Sequence, residues 1–217
     1  MKNILFLALA LFLVACGAAP EGEKVEAQDA VETAEPTAAA ATLKVDTESS
    51  TINWIGAKFT GDQHTGTINI SKGALMTEGD QLVGGTFVID MTSIKNTDLP
   101  EEKQGDLVGH LTSGDFFEIE KFPQATFEIA EVAAVEGNPE QTHTITGNLT
   151  MKDVTKSITI PAVVSMEEGG VSATTPSFVI DRTQWGVMYG STATGALKDK
   201  AIKDEIALQI NLMAKGK

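Results

Sequence analysis

The chain has 217 residues, 42% of them apolar, with a single cysteine and a formal net charge of −14. That charge argues against a nucleic-acid partner, because binding there requires cations to neutralise phosphates. It also disfavours docking on anionic head groups, and one cysteine excludes an intrachain disulfide.

The N-terminus reads as an export signal. Lys2 supplies a positive start and residues 4–14 are an unbroken apolar run. Eleven residues are too few to span a bilayer, which takes about 20, and they suit a secretory h-region. The run ends in Leu13-Val14-Ala15-Cys16, which resembles the lipobox of bacterial lipoproteins. That resemblance implies cleavage after residue 15 and lipidation of Cys16 with two or three acyl chains, enough for stable membrane anchoring. Gly17, not Asp, follows the cysteine, so the expected location is the periplasmic face of the outer membrane in a bacterial envelope.

Residues 16–42 follow as a lipidated cysteine and an acidic linker. From residue 17 on, six acids (Glu21, Glu23, Glu26, Asp29, Glu32, Glu35) face one Lys24, with almost no large apolar residue. Such composition predicts disorder, with an r.m.s. span of roughly 28 Å as a flexible tether. Residues 43–217 then fit one domain.

In that domain period-two alternation dominates, the mark of half-buried strands. Ile52 pairs with Trp54, Ile68 with Ile70, and Phe87 with Ile89 and Met91. Phe127 with Ile129, and Ile145 with Leu149 and Met151, continue the pattern. So do Ile158 with Ile160 and Ala162, Phe178 with Ile180, and Ile206 with Leu208, Ile210 and Leu212. About eight antiparallel strands result, with a bulge or bend expected at Gly84-Gly85. Sandwich and barrel both satisfy this pattern. Eight strands closed into a barrel leave room for side chains or one small ligand. The interval around residues 99–112 breaks the alternation. Pro100, the acids after it and the stripe Leu107, Val108, Leu111 predict a short helix, weakened by Gly105 and Gly109. After it come Phe116 and Phe117; in an extended segment only one of two neighbours could face a lumen.

Five segments in order resemble the YceI family: Trp54 with His64-Thr65-Gly66; Gly85-Thr86-Phe87-Val88-Ile89-Asp90-Met91; His110-Leu111 through Asp115-Phe116-Phe117 and on to Phe127; Gly147-Asn148-Leu149-Thr150 with Val154-Thr155-Lys156; and Arg182 with Trp185-Gly186. Asp153 stands where the family often has Gly, and Trp185 where Phe is common. The resemblance implies an all-β fold, an extended antiparallel eight-stranded lipocalin-like β-barrel with one short helix. It also implies that an apolar lumen takes a polyisoprenoid, such as a quinone tail, or a similar amphiphilic lipid. Pairing into a homodimer is known among such barrels. The expected ligand-binding residues are Trp54, His64, Phe87, Ile89, Met91, Leu111, Phe117, Phe127, Ile129, Leu149, Ile158, Ile160, Phe178, Ile180, Arg182 and Trp185.

The residues themselves leave other readings open. The apolar faces could close on one another as a filled core, making a ligand-free structural or stress-response envelope protein. His64, His110 and His143 lie too far apart in sequence for the short spacings of zinc sites, so no metal and no cofactor are expected. No nucleophile elbow or nucleotide-binding fingerprint is present, so no enzyme is expected. His64 is a candidate for a ligand head group. Arg182, the only arginine, could hold a head group or form an ion pair; the ion pair is preferred.

Overall fold

A computed structural model describes residues 20–33 and 39–216. The apolar run at residues 4–14 and Cys16 lie outside the described residues.

The domain opens with β3 (Ala41–Val45) and β4 (Thr51–Lys58), preceded by two short strands, β1 (Glu23–Lys24) and β2 (Gln28–Asp29). The long hairpin of β5 (Gln63–Glu78) and β6 (Gln81–Asn96) follows, then the helix α1 (Glu101–Thr112) and β7 (Gln124–Ala134). Next come β8 (His143–Met151), β9 (Val154–Glu167), β10 (Gly170–Thr174), β11 (Phe178–Asp181) and β12 (Ile202–Lys215). Antiparallel pairing runs β4-β5-β6-β7-β8-β9-β10-β12 and returns from β12 to β4, closing a ring of eight strands. A closed ring removes the sheet edges that a sandwich leaves. β3 and β4 share one place between β5 and β12, end to end: β3 takes Ala214 and Lys215, and β4 takes the N-terminal part of β12.

The expected bulge lies at Val83, where Met76 pairs with Gly84 and Thr77 with Leu82. A Cβ on Gly85 would sit 2.9 Å from the Ala74 carbonyl oxygen, so this close strand approach needs glycine. Further irregularities in the β5–β6 ladder explain why alternation fades there in the sequence. Ile68 and Ile70 are buried with even parity and Leu75 with odd, because the register slips between Ile70 and Lys72. Each unmatched residue turns the following side chains to the other face. Near Met91 the β6 backbone leaves its partner, and Ser93 Oγ accepts from Asn69 N–H at 2.8 Å in its stead.

The helix begins one residue after Pro100, which caps it, and has no fully buried residue. Leu107 and Leu111 pack against the barrel interior from its half-buried face.

The N-terminal segment differs from the disordered linker its composition predicts. β1 pairs in parallel with β11 (Glu23 with Phe178, Lys24 with Val179), and β2 pairs antiparallel with β9 (Gln28 with Ser157, Asp29 with Lys156). Val25 is buried in the core and Asn148 bonds both backbone groups of Val31. The physical reason is that a polar chain needs few apolar side chains when a wall offers unpaired backbone groups.

Candidate functional site

The apolar strand faces surround a cavity of about 490 Å³ and do not close into a filled core. The volume falls within the range of small-molecule sites. Every strand of the ring contributes side chains, and α1 adds Leu107, His110 and Leu111. One end, past the β5–β6 hairpin, is tightly closed: Leu75, Val171 and Ala214 are all but inaccessible. At the other end the helix, the turn after it and the segment before β12 gather the polar groups.

Of the sixteen residues expected to bind ligand, fifteen line this cavity. Trp185 does not. It is fully buried in the 3-10 turn Arg182–Trp185 and donates Nε1–H to the Leu149 carbonyl at 2.9 Å, so it holds the wall. Alternation misses residues beyond the bulges, such as Leu75, Leu82 and Ile94, and also Tyr189, which lies in no regular element; all four line the lumen.

Phe116 and Phe117 both line the cavity. Their segment is a tight turn, not an extended strand: Phe117 N–H donates to the Leu111 carbonyl and Glu118 N–H to that of Ser113. Two successive side chains can therefore point to one side. Phe116 is buried against the His110 ring (centroids 5.0 Å apart, edge to face) and the Tyr189 ring (5.3 Å). Lys152 pins the turn, its Nζ donating to the Phe116 carbonyl at 2.8 Å and lying 3.8 Å from Glu118.

Arg182 lines the cavity yet has little to offer a ligand. It is 1% exposed; it bonds the carbonyls of Lys203, Val187 and Ile202, and Nη2 lies 3.3 Å from Asp204 Oδ1. Burial lowers its pKa, and the charges of Asp204, Asp181 and Glu205 oppose that. The geometry matches the ion-pair reading, with the guanidinium tying β11 to β12.

His64 Nδ1 lies 2.9 Å from Asp98 Oδ2, whose other oxygen accepts from Thr65 N–H and Asn96 Nδ2. Burial raises the Asp98 pKa; the hydrogen bonds from His64, Thr65 and Asn96 outweigh it and leave the carboxyl below its ordinary value. The second imidazole nitrogen of His64 remains for other bonds, on a side chain that lines the cavity. His143 stands apart, bonded through Nδ1 to Thr142 Oγ1. Among the described residues no group of three His, Cys, Asp or Glu could hold a metal. The Trp54 indole N–H is buried with no partner among the described residues.

Residues 43–214 match the YceI-like domain family, and the chain belongs to it. A UPF0312 protein of Pseudomonas aeruginosa is 43% identical over 67 residues, 31% of this chain and 33% of that relative. The chain thus spans about a third of the length of the curated relatives it matches. Among solved structures, Burkholderia cenocepacia BcnA superposes with a TM-score of 0.62 at 20% identity, covering 79% of this chain and 99% of BcnA. A domain of Saccharophagus degradans, described as polyisoprenoid-binding and implicated in plant cell wall breakdown, gives 0.58 at 14% identity, covering 81% and 98%. At these identities the likeness speaks to the fold.

Proposed function

We propose that the chain is an envelope lipoprotein that holds a long amphiphilic lipid in its lumen, a polyisoprenoid or the tail of an isoprenoid quinone. The observation that carries this reading is the apolar cavity, walled by all eight ring strands and the helix. Each CH₂ buried there is worth about 0.8 kcal/mol, so a few isoprene units outweigh most polar contacts. The head group would lie at the helix end, where His64 and Tyr189 offer hydrogen bonds. The lipid class is suggested by the polyisoprenoid-binding description of the Saccharophagus domain. Anchoring at Cys16 is suggested by the lipobox, and with it a place on the periplasmic face of the outer membrane.

Solvent extraction of the purified full-length protein, followed by lipid mass spectrometry, tests the ligand. A stoichiometric polyprenyl species is expected; an empty, well-folded protein that also refuses added prenol would sink the proposal. Labelled palmitate should mark the wild type and not Cys16→Ala, and equal labelling would remove the anchor.

A further inference from the structure

The ring is closed by eight strands over only part of its height. β10 and β11 lie end to end beside β12, joined through Thr175, Pro176 and Ser177. β9 follows β10 but not β11: its ladder with β10 covers residues 163–167, and β9 and β11 have no pairing between them. In the half nearer the helix the wall therefore parts. Residues 21–29 fill the parting, joined to β11 on one side and β9 on the other.

This filling is built unlike the rest of the wall. Its strand register with each neighbour covers two residues, and no residue of it pairs with both. Beyond these, Val25 N–H donates to the Val179 carbonyl, Glu23 N–H to the Ser177 carbonyl and Ser177 Oγ–H to the Glu21 carbonyl, and Asn148 holds Val31 past its end. Val25 is its one buried side chain inside the parting, with Ala27 partly buried beside it. Gly22 passes so close that a Cβ would lie 2.8 Å from the Ser177 carbonyl oxygen. By comparison β8 and β9 pair over nine residues. Segments with few buried apolar contacts and short hydrogen-bonded runs are the first to open. Behind this one lies the lumen, lined here by Ile158 and Ile160 of β9 and by Phe178 and Ile180 of β11.

Two other routes are better fastened. The far end is sealed by buried Leu75, Val171 and Ala214. The turn at the helix end is pinned by Lys152 and stacked on His110 and Tyr189. We infer that the parting between β9 and β11 is a lateral portal for the lipid, and that residues 21–29 are its detachable gate. The inference rests on the lipid-carrier reading above. It also joins gate to anchor: Gly22 follows Cys16 by six residues, a reach of at most about 22 Å. With the gate seated, an acylated Cys16 holds the portal close to the membrane. With the gate released, the tether lengthens.

Asp29 and Lys156 are register partners on neighbouring strands, with their side chains ion-paired at 3.0 Å. Such pairs are close enough for a disulfide. In the full chain carrying Cys16→Ala, the double variant Asp29→Cys/Lys156→Cys staples the gate shut. The readout is the uptake rate of a fluorescent prenol delivered from detergent micelles. The oxidised staple should slow uptake by at least about tenfold, and reductant should restore it. A control staple across β8 and β9, Thr146→Cys/Thr159→Cys, should leave the rate unchanged, and Gly22→Val, which lifts the gate without touching the lumen, should raise it. Equal rates for oxidised and reduced gate would overturn the portal while leaving the carrier reading intact. Equal slowing by the control staple would overturn it as well. Failure of every variant and the parent to take up prenol, even when refolded with it, would remove the carrier reading and the portal together.

Discussion

From β4 to β9 the wall is a continuous ladder of neighbouring hairpins, broken only by the excursion through α1. From β9 round to β12 it is pieced together from two short strands, β10 and β11, and a segment from the far N-terminus. The first region is built from contacts near in sequence and from alternating apolar faces. The second depends on pairings such as Glu23 with Phe178, about as far apart as the domain allows. The contrast teaches where the barrel is rigid and where it can yield: local ladders give the lumen its shape, and the pieced sector gives it access.

The strongest way to break the pieced side is at its pin. Arg182→Met removes the donor to three carbonyls and to Asp204 Oδ1, leaving Ser191 Oγ on the other carboxylate oxygen, and should cost about 3–4 kcal/mol, read as a lower urea midpoint. A variant of unchanged stability would show that Arg182 is not the pin. On the ladder side the equivalent break is Gly66→Ala. A Cβ there would lie 1.8 Å from the Lys95 carbonyl oxygen and 2.4 Å from the Trp54 ring. The backbone must move, at a cost of about 2–3 kcal/mol in the same titration.

Smaller changes sharpen the comparison. Lys152 and Asp153 both sit at positive φ, 49° and 59°, in the β8–β9 turn. A two-residue turn with both φ positive is the hairpin form that matches strand twist, and Gly suits it best. Asp153→Gly should therefore raise stability by about 1 kcal/mol, checked by the melting temperature; a fall would mean the Asp side chain holds the turn. In the pieced sector Val25→Ala should do something different in kind. Global stability should fall by less than about 1 kcal/mol, while proteolysis within residues 20–33 accelerates, because local opening and global unfolding are separate events. A large drop in melting temperature would show that the gate folds as one unit with the wall.

The smallest effect belongs to acid. The Asp98 pKa is lowered in the fold, so its contribution is fully present above the unfolded value of about 3.9 and is lost as pH falls through the folded one. The melting-temperature difference between the wild type and Asp98→Asn should stay constant at neutral pH and shrink in acid. A difference that instead grows below pH about 4 would reverse the sign of this linkage.

Most of the lumen is legible in the sequence. Phe87, Ile89, Phe127, Ile129, Ile158 and Ile160 sit on strict alternations, and strict alternation on a regular strand leaves one choice of face. Leu75, Leu82 and Ile94 were not legible, because the slips in the β5–β6 ladder change parity, and of these only the one beside Gly84-Gly85 is announced by residue types. Trp185 misled in the opposite way: its place in the family pattern suggested the pocket, whereas its N–H is committed to the Leu149 carbonyl. The turn after the helix made room for both Phe116 and Phe117, which no extended-strand argument allows.

The sequence by itself determined the strand alternation, the helix after Pro100, the order of the five family segments and the acidic composition of residues 17–42, with few large apolar side chains. These are local properties, set by period, turn chemistry and charge. Only the tertiary structure decided whether the apolar faces meet or stand apart around a cavity, because that depends on how eight strands close. It alone decided the fate of the N-terminal segment as well. A polar stretch carries no signal of its own for pairing. Its partner is a pair of open backbone edges that exist only once β9 and β11 have parted.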